Sequence, residues 1–169
     1  MSRRPHVILD ETRAAQARAA DPSASAWVSA HAGSGKTHVL ANRVIRLLLD
    51  GTDPSRILCL TYTRAAAGEM KARIFKVLGG WAVAEDAELA AAIGELEGGS
   101  VTTARIAAAR RLFAQALETP GGLKIQTIHA FCEFPDTGAA LQRAGGDRRL
   151  SKAHLQVQMG GVNAAIEHY

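Results

Sequence analysis

The chain has 169 residues, 20 Lys and Arg against 16 Asp and Glu, a formal net charge of +4, and 47% apolar but only 5% aromatic residues. That length suits one domain with a real core. No run reaches the roughly 20 apolar residues of a membrane-spanning helix, and residues 1–10 lack the apolar middle of a signal peptide, so a cytoplasmic protein is expected. The two cysteines, Cys59 and Cys132, make neither a zinc pattern nor a disulfide framework and read as packed thiols. The charge is uneven: residues 1–80 carry twelve basic against six acidic side chains, residues 81–120 three against six, and the remainder five against four. A basic N-terminal portion is compatible with a nucleic acid or nucleotide partner, but a solvated basic face gives the same signal.

Asp10 to Ala20 reads as an Ala-rich helix ended by Asp21-Pro22-Ser23. Within it Gln16 offers a donor and an acceptor together, which can pair with an adenine edge; a solvated helix residue is the alternative. A short apolar run, Ala26 to Ala30, then leads into Ala30-His31-Ala32-Gly33-Ser34-Gly35-Lys36-Thr37 and a segment with Val39, Leu40, Val44, Leu47 and Leu48 at helical spacing. A Gly-rich turn between strand and helix is the context of a phosphate-binding loop. Gly33 and Gly35 let the main chain approach a triphosphate, and the helix N-terminus presents unpaired N–H groups. Lys36 is placed for the β- and γ-phosphates, and Thr37 can give its hydroxyl to Mg²⁺. Ala30 stands where the general pattern has its first Gly, which requires a negative φ there. His38 occupies the third glycine position of a dinucleotide-binding fingerprint and argues against that reading.

Asp50 to Pro54 is a turn, and Ile57 to Leu60 an apolar strand of the kind buried in a parallel sheet. The strand empties into Thr61-Tyr62-Thr63-Arg64, at the edge where open α/β sheets bind ligands. Thr61, Thr63 and Arg64 could hold phosphates of a nucleic acid strand, and Tyr62 could stack on a base; an ordinary strand-to-helix corner with a capping Thr is the other reading. A helix is expected over Ala65 to Leu78, ended by Gly79-Gly80. Residues 81–120 turn acidic and Ala-rich, with helical stretches around Glu85 to Leu96 and Val101 to Leu117, and read as a helical insertion. After Thr119-Pro120-Gly121-Gly122, Leu123 to Thr127 reads as a returning strand. It ends in a second corner with His129, where nothing nearby supplies a partner for acid–base work.

These motifs in this order resemble the beginning of a superfamily 1 DNA helicase of the UvrD and RecB type, most closely the N-terminal part of the AddA helicase–nuclease subunits. Gln16 matches the adenine-reading glutamine, Ala30 to Thr37 the phosphate loop, Thr61 to Ala66 the first single-strand contact motif, and Thr127-Ile128-His129-Ala130-Phe131-Cys132 the second. Members close to RecB and AddA also carry Ala at the position of Ala30. The resemblance runs from about Glu11 to Glu133. It implies a partial RecA-like P-loop NTPase fold, α/β with a parallel sheet flanked by helices, and ATP with Mg²⁺ as cofactors handled by Lys36 and Thr37. It further implies single-stranded DNA contacts at Tyr62, His129 and the residues around them, Thr61, Thr63, Arg64, Thr127 and Phe131, and an AddB-like partner for a complete protein.

The expected organisation is therefore residues 1–80 as the start of an ATP-binding domain, 81–120 as a helical insertion, 121–133 as return strand and second DNA motif, and 134–169 as a tail. Hydrolysis needs a carboxylate on the hydrated Mg²⁺ and another on the attacking water, usually from an apolar strand ending in Asp-Glu. No such strand is legible; Asp136 and Asp147 stand alone among Gly and polar residues. The tail is read as having no sustained apolar period, which predicts a truncated or frame-shifted helicase piece with unpaired sheet edges and no helicase activity of its own. The other readings are a non-catalytic nucleotide- or DNA-binding module and a P-loop small-molecule kinase. Against the kinase, no Arg-rich lid follows the loop.

Overall fold

The computed structural model describes residues 10–31, 35–133, 155–159 and 162–168. In chain order these form α1 (Asp10–Ala19), β1 (Ala26–Ala30), α2 (Lys36–Leu49), a 3-10 turn (Pro54–Arg56), β2 (Ile57–Thr61), α3 (Arg64–Val83), α4 (Asp86–Glu97), α5 (Thr103–Glu118), β3 (Lys124–Thr127), α6 (Ile128–Glu133), β4 (Leu155–Met159) and β5 (Val162–His168). The sheet order is β1-β4-β5-β2-β3. β1 pairs with β4 and β2 with β3 in parallel, whereas β5 is antiparallel to both β4 and β2. Four strands thus share one direction and β5 alone opposes it, so the C-terminal ends of β1, β2 and β3 lie on one edge of an α/β sheet.

The core lies against one face of that sheet. Ile57 and Cys59 of β2 alternate toward it, joined by Ala26 and Val28 of β1 and Ile125 of β3. Leu40, Val44, Ile45, Leu47 and Leu48 of α2, Met70, Ile74 and Leu78 of α3, Leu89 and Ile93 of α4, and Ala109, Leu112 and Ala116 of α5 complete one continuous cluster. Burying each large apolar side chain contributes about 1.5–3 kcal/mol. The acidic 81–120 stretch holds no strand, and its two helices share the core of α2 and α3. Burial pushes the Cys59 thiol up to about 12 and makes it inert.

Three expectations are corrected. Gly79-Gly80 does not end α3, which continues to Val83. Trp81 is buried beyond the pair, and α5 packs over Gly79, where a Cβ would meet the Phe113 ring at 3.4 Å, an ordinary contact. Tertiary packing outweighs the local cost of glycine, about 1 kcal/mol per residue. Cys132 is not packed but exposed on α6; of the two cysteines, Cys59 alone lies within an apolar run. The tail contributes β4 and β5, which lie between β1 and β2, so that among the described residues β1 and β3 are the edge strands. The signal was a short one: Leu155, Val157 and Met159 alternate with Gln156 and Gln158 ahead of Gly160-Gly161, as strand and hairpin residues do. Asp136 and Asp147 lie outside the described residues.

Candidate functional site: the phosphate loop and the strand-end corners

β1 delivers the chain to the phosphate loop and α2 carries it away. Ala30 is the last residue of β1, and no non-glycine residue among those described has a positive φ, so Ala is compatible with the backbone there. Ala32, Gly33 and Ser34 lie outside the described residues. Gly35 caps α2 in the left-handed region, φ 85° and ψ 14°, a conformation that disfavours any side chain. Its carbonyl accepts from Val39 N at 3.0 Å, which turns the first N–H groups of α2 toward the loop. Lys36 is 5% exposed, and its Nζ donates to the His31 carbonyl at 2.5 Å, joining the start of α2 to the residue that follows β1. Thr37 follows, half-buried, at the start of the helix. An anion seated here would meet the helix N-terminus and a lysine at once.

Gln16 reaches this loop from α1. A Cβ on Gly35 would stand 3.0 Å from Gln16 Nε2, so the amide of α1 and the left-handed glycine of the loop occupy neighbouring positions. What holds α1 there is Arg43, a residue that no motif in the sequence singles out. Its Nη1 donates to the carbonyls of Ala19, at 3.2 Å, and Asp21, and its Nη2 to that of Ala24 at 2.6 Å. Arg43 is fully buried, and burial pulls its pKa below the ordinary arginine value. The available signal was a charge seven residues after Lys36, on the same helix face, among Leu40, Ala41, Val44 and Ile45.

The two polar corners stand side by side on the same edge, because Thr61 and Thr127 are register partners of β2 and β3. Their threonines are occupied locally. Thr61 Oγ1 donates to the Thr63 carbonyl at 3.0 Å, Thr63 Oγ1 caps α3 by accepting from Ala66 N at 3.1 Å, and Thr127 Oγ1 accepts from Ala130 N at 3.1 Å. What they leave facing solvent is Tyr62, 59% exposed, with Arg64 and His129 also exposed and Phe131 half-buried. Two strands separate β1 from β2, so the phosphate loop and the first corner are about 14 Å apart at a spacing near 4.8 Å per strand. Among the described residues no group of three or more His, Cys, Asp or Glu could hold a metal ion. No helix among them is long and apolar enough to cross a membrane.

A strand, a glycine-capped loop with an inward lysine and a helix, at the C-terminal edge of a mostly parallel sheet, define a RecA-like P-loop domain. The family profile for the UvrD/REP helicase N-terminal domain matches residues 10–143, and the chain belongs to that family. The match continues past Glu133. An ATP-dependent helicase/nuclease subunit from Pediococcus pentosaceus is 37% identical over 105 residues, which cover 62% of this chain and 7% of that protein. The proteins of the same name from Latilactobacillus sakei and Enterococcus faecalis are each 39% identical over 105 residues, covering 10% and 7% of their lengths. The chain thus spans at most a tenth of these relatives. No solved structure matches.

Proposed function

We propose that this chain is an ATP-binding piece of an AddA-like DNA helicase, which takes MgATP at Ala30 to Thr37 and single-stranded DNA along Tyr62, Arg64 and His129. The observation that carries the reading is Lys36, buried at the N-terminus of α2 with its ammonium folded across the loop that Gly35 terminates. In this reading Lys36 neutralises the β- and γ-phosphates, the α2 N–H groups bind phosphate oxygens, and Thr37 ligates Mg²⁺. The metal supplies charge neutralisation at the transferring phosphoryl group. Gln16 pairs with the adenine edge. Tyr62 stacks on a base, Arg64 and His129 meet the DNA backbone, and the three threonines shape the turns that present them. An AddB-like protein is the partner expected of a complete enzyme.

The chain by itself binds nucleotide without turning it over. The strands between β1 and β2 bring Gln158 and Met159 at the end of β4 and Val162 and Asn163 at the start of β5 to the catalytic edge, where hydrolysis needs carboxylates. Glu167 pairs with Leu58, near the opposite end of the sheet. Thermal unfolding with and without MgATP tests the binding. Saturating ligand should raise Tm by about 5 °C, and Lys36→Ala should abolish the shift. An equal shift in the variant would refute the site. Multiple-turnover phosphate release stimulated by single-stranded DNA would show instead that the chain is a working ATPase.

A further inference from the structure

α1 has little to hold it by apolar burial. Its sequence, DETRAAQARA, has no large apolar side chain, and residues 11–15, 17 and 18 are exposed. Its place is set by polar contacts from α2. The Arg43 fork joins the last-turn carbonyl of Ala19 to the Asp21 and Ala24 carbonyls of the turn entering β1. Arg46 adds an Nη1 bond to the Ala17 carbonyl at 3.3 Å and an ion pair with Asp21 at 3.6 Å. Gln16 lies one turn before that grip, its carbonyl accepting from Ala20 N at 2.9 Å. The fully buried guanidinium keeps this geometry even though its Nε has no hydrogen-bond partner among the described residues.

Lys36 and Arg43, seven residues apart on one face of α2, therefore divide the work: one helix holds the phosphates directly and, through α1, holds the amide that reads the base. We propose that Arg43 is the positioning residue for base selection, fixing the end of α1 and the turn after it through three main-chain carbonyls so that Gln16 stands against Gly35 and favours adenine over guanine. The inference rests on the nucleotide reading above. A flat fork matches carbonyls in a fixed plane, which a lysine on a flexible stem does not reproduce.

The test is calorimetric titration of the full chain with MgATP and with MgGTP, for wild type, Arg43→Lys, Arg46→Ala, Gln16→Ala and Lys36→Ala. Wild type should prefer ATP by about tenfold, the worth of a buried amide pairing made or left unmade. Arg43→Lys and Gln16→Ala should each bring that ratio to about one, the loss in Arg43→Lys being confined to ATP, and Arg46→Ala should lower it part of the way. A folded Arg43→Lys protein that keeps the preference, or that loses both nucleotides in proportion, overturns the inference. Should Arg43→Lys fail to fold, Arg46→Ala decides, and an unchanged ratio there overturns it as well. Wild type that binds both bases equally sinks the positioning role alone, whereas undiminished binding by Lys36→Ala, or none by wild type, removes the nucleotide reading and the inference with it.

Discussion

Two arginines latch two segments onto α2, and they do so in opposite environments. Arg43 holds α1 and the turn into β1 from a fully buried position, with main-chain carbonyls as its only hydrogen-bond partners among the described residues. Arg105, at the start of α5, is 26% exposed; it grips Glu97 of α4, Asp50 at 2.6 Å and the Leu49 carbonyl at 2.6 Å. The electrostatic consequences diverge. Burial lowers the Arg43 pKa, while the Glu97 carboxylate above all raises that of Arg105. A buried carbonyl clamp leaves polar groups stranded if it is removed, whereas a carboxylate clamp at the surface leaves groups that water can solvate. The helical region α4 and α5 has Leu89, Ile93, Ala109, Leu112 and Ala116 in the core as well. α1 has no comparable apolar anchor, so its segment depends on its arginine far more.

That contrast can be broken at several points. Arg43→Ala should cost about 3 kcal/mol in denaturant unfolding, because three carbonyls lose a charged donor at a buried position. Arg105→Ala should cost about 1 kcal/mol, and the two changes should add within about 0.5 kcal/mol, having no shared partner. An Arg105 variant as damaging as the Arg43 one would show that exposure does not separate the two latches. Thr102→Ala removes the cap that accepts from Arg105 N at 3.2 Å and should cost about 1 kcal/mol or less, with limited proteolysis cutting first between α4 and α5. Asp21→Asn should have the smallest effect. Hydrogen bonds from Ser23 and the charges of Arg46 and Arg43 hold the Asp21 carboxyl below its usual 3.8. Its stabilisation is thus fully present above that pH and is lost as pH falls through the lower folded value. The stability difference between wild type and Asp21→Asn should therefore be constant near neutrality and vanish in acid; a difference that grows in acid contradicts the assignment.

Much of the site was legible locally. The phosphate loop is a contiguous pattern whose chemistry follows from backbone geometry, and the strand-end corners follow from an apolar run that stops at Thr61 and an alternating one that stops at Thr127. The start of α3 was legible from its capping Thr63, whereas α5 begins after Thr102, inside the stretch expected from Val101. The end of α3 was not, because Gly79-Gly80 signals a break and only the approach of Phe113 from α5 and the burial of Trp81 explain why the helix continues.

By itself, the order of residues determined the α/β class, the loop with its inward lysine, the corners and the family resemblance, since each depends on neighbours within a few positions. Tertiary structure alone decided that Arg43 grips carbonyls 19 to 24 residues earlier in the chain, that Thr61 and Thr127 stand in register, and that residues 155–159 and 162–168 enter the middle of the sheet. Those are contacts between distant segments, and a pattern read along one stretch carries no record of which other stretch will supply its partner.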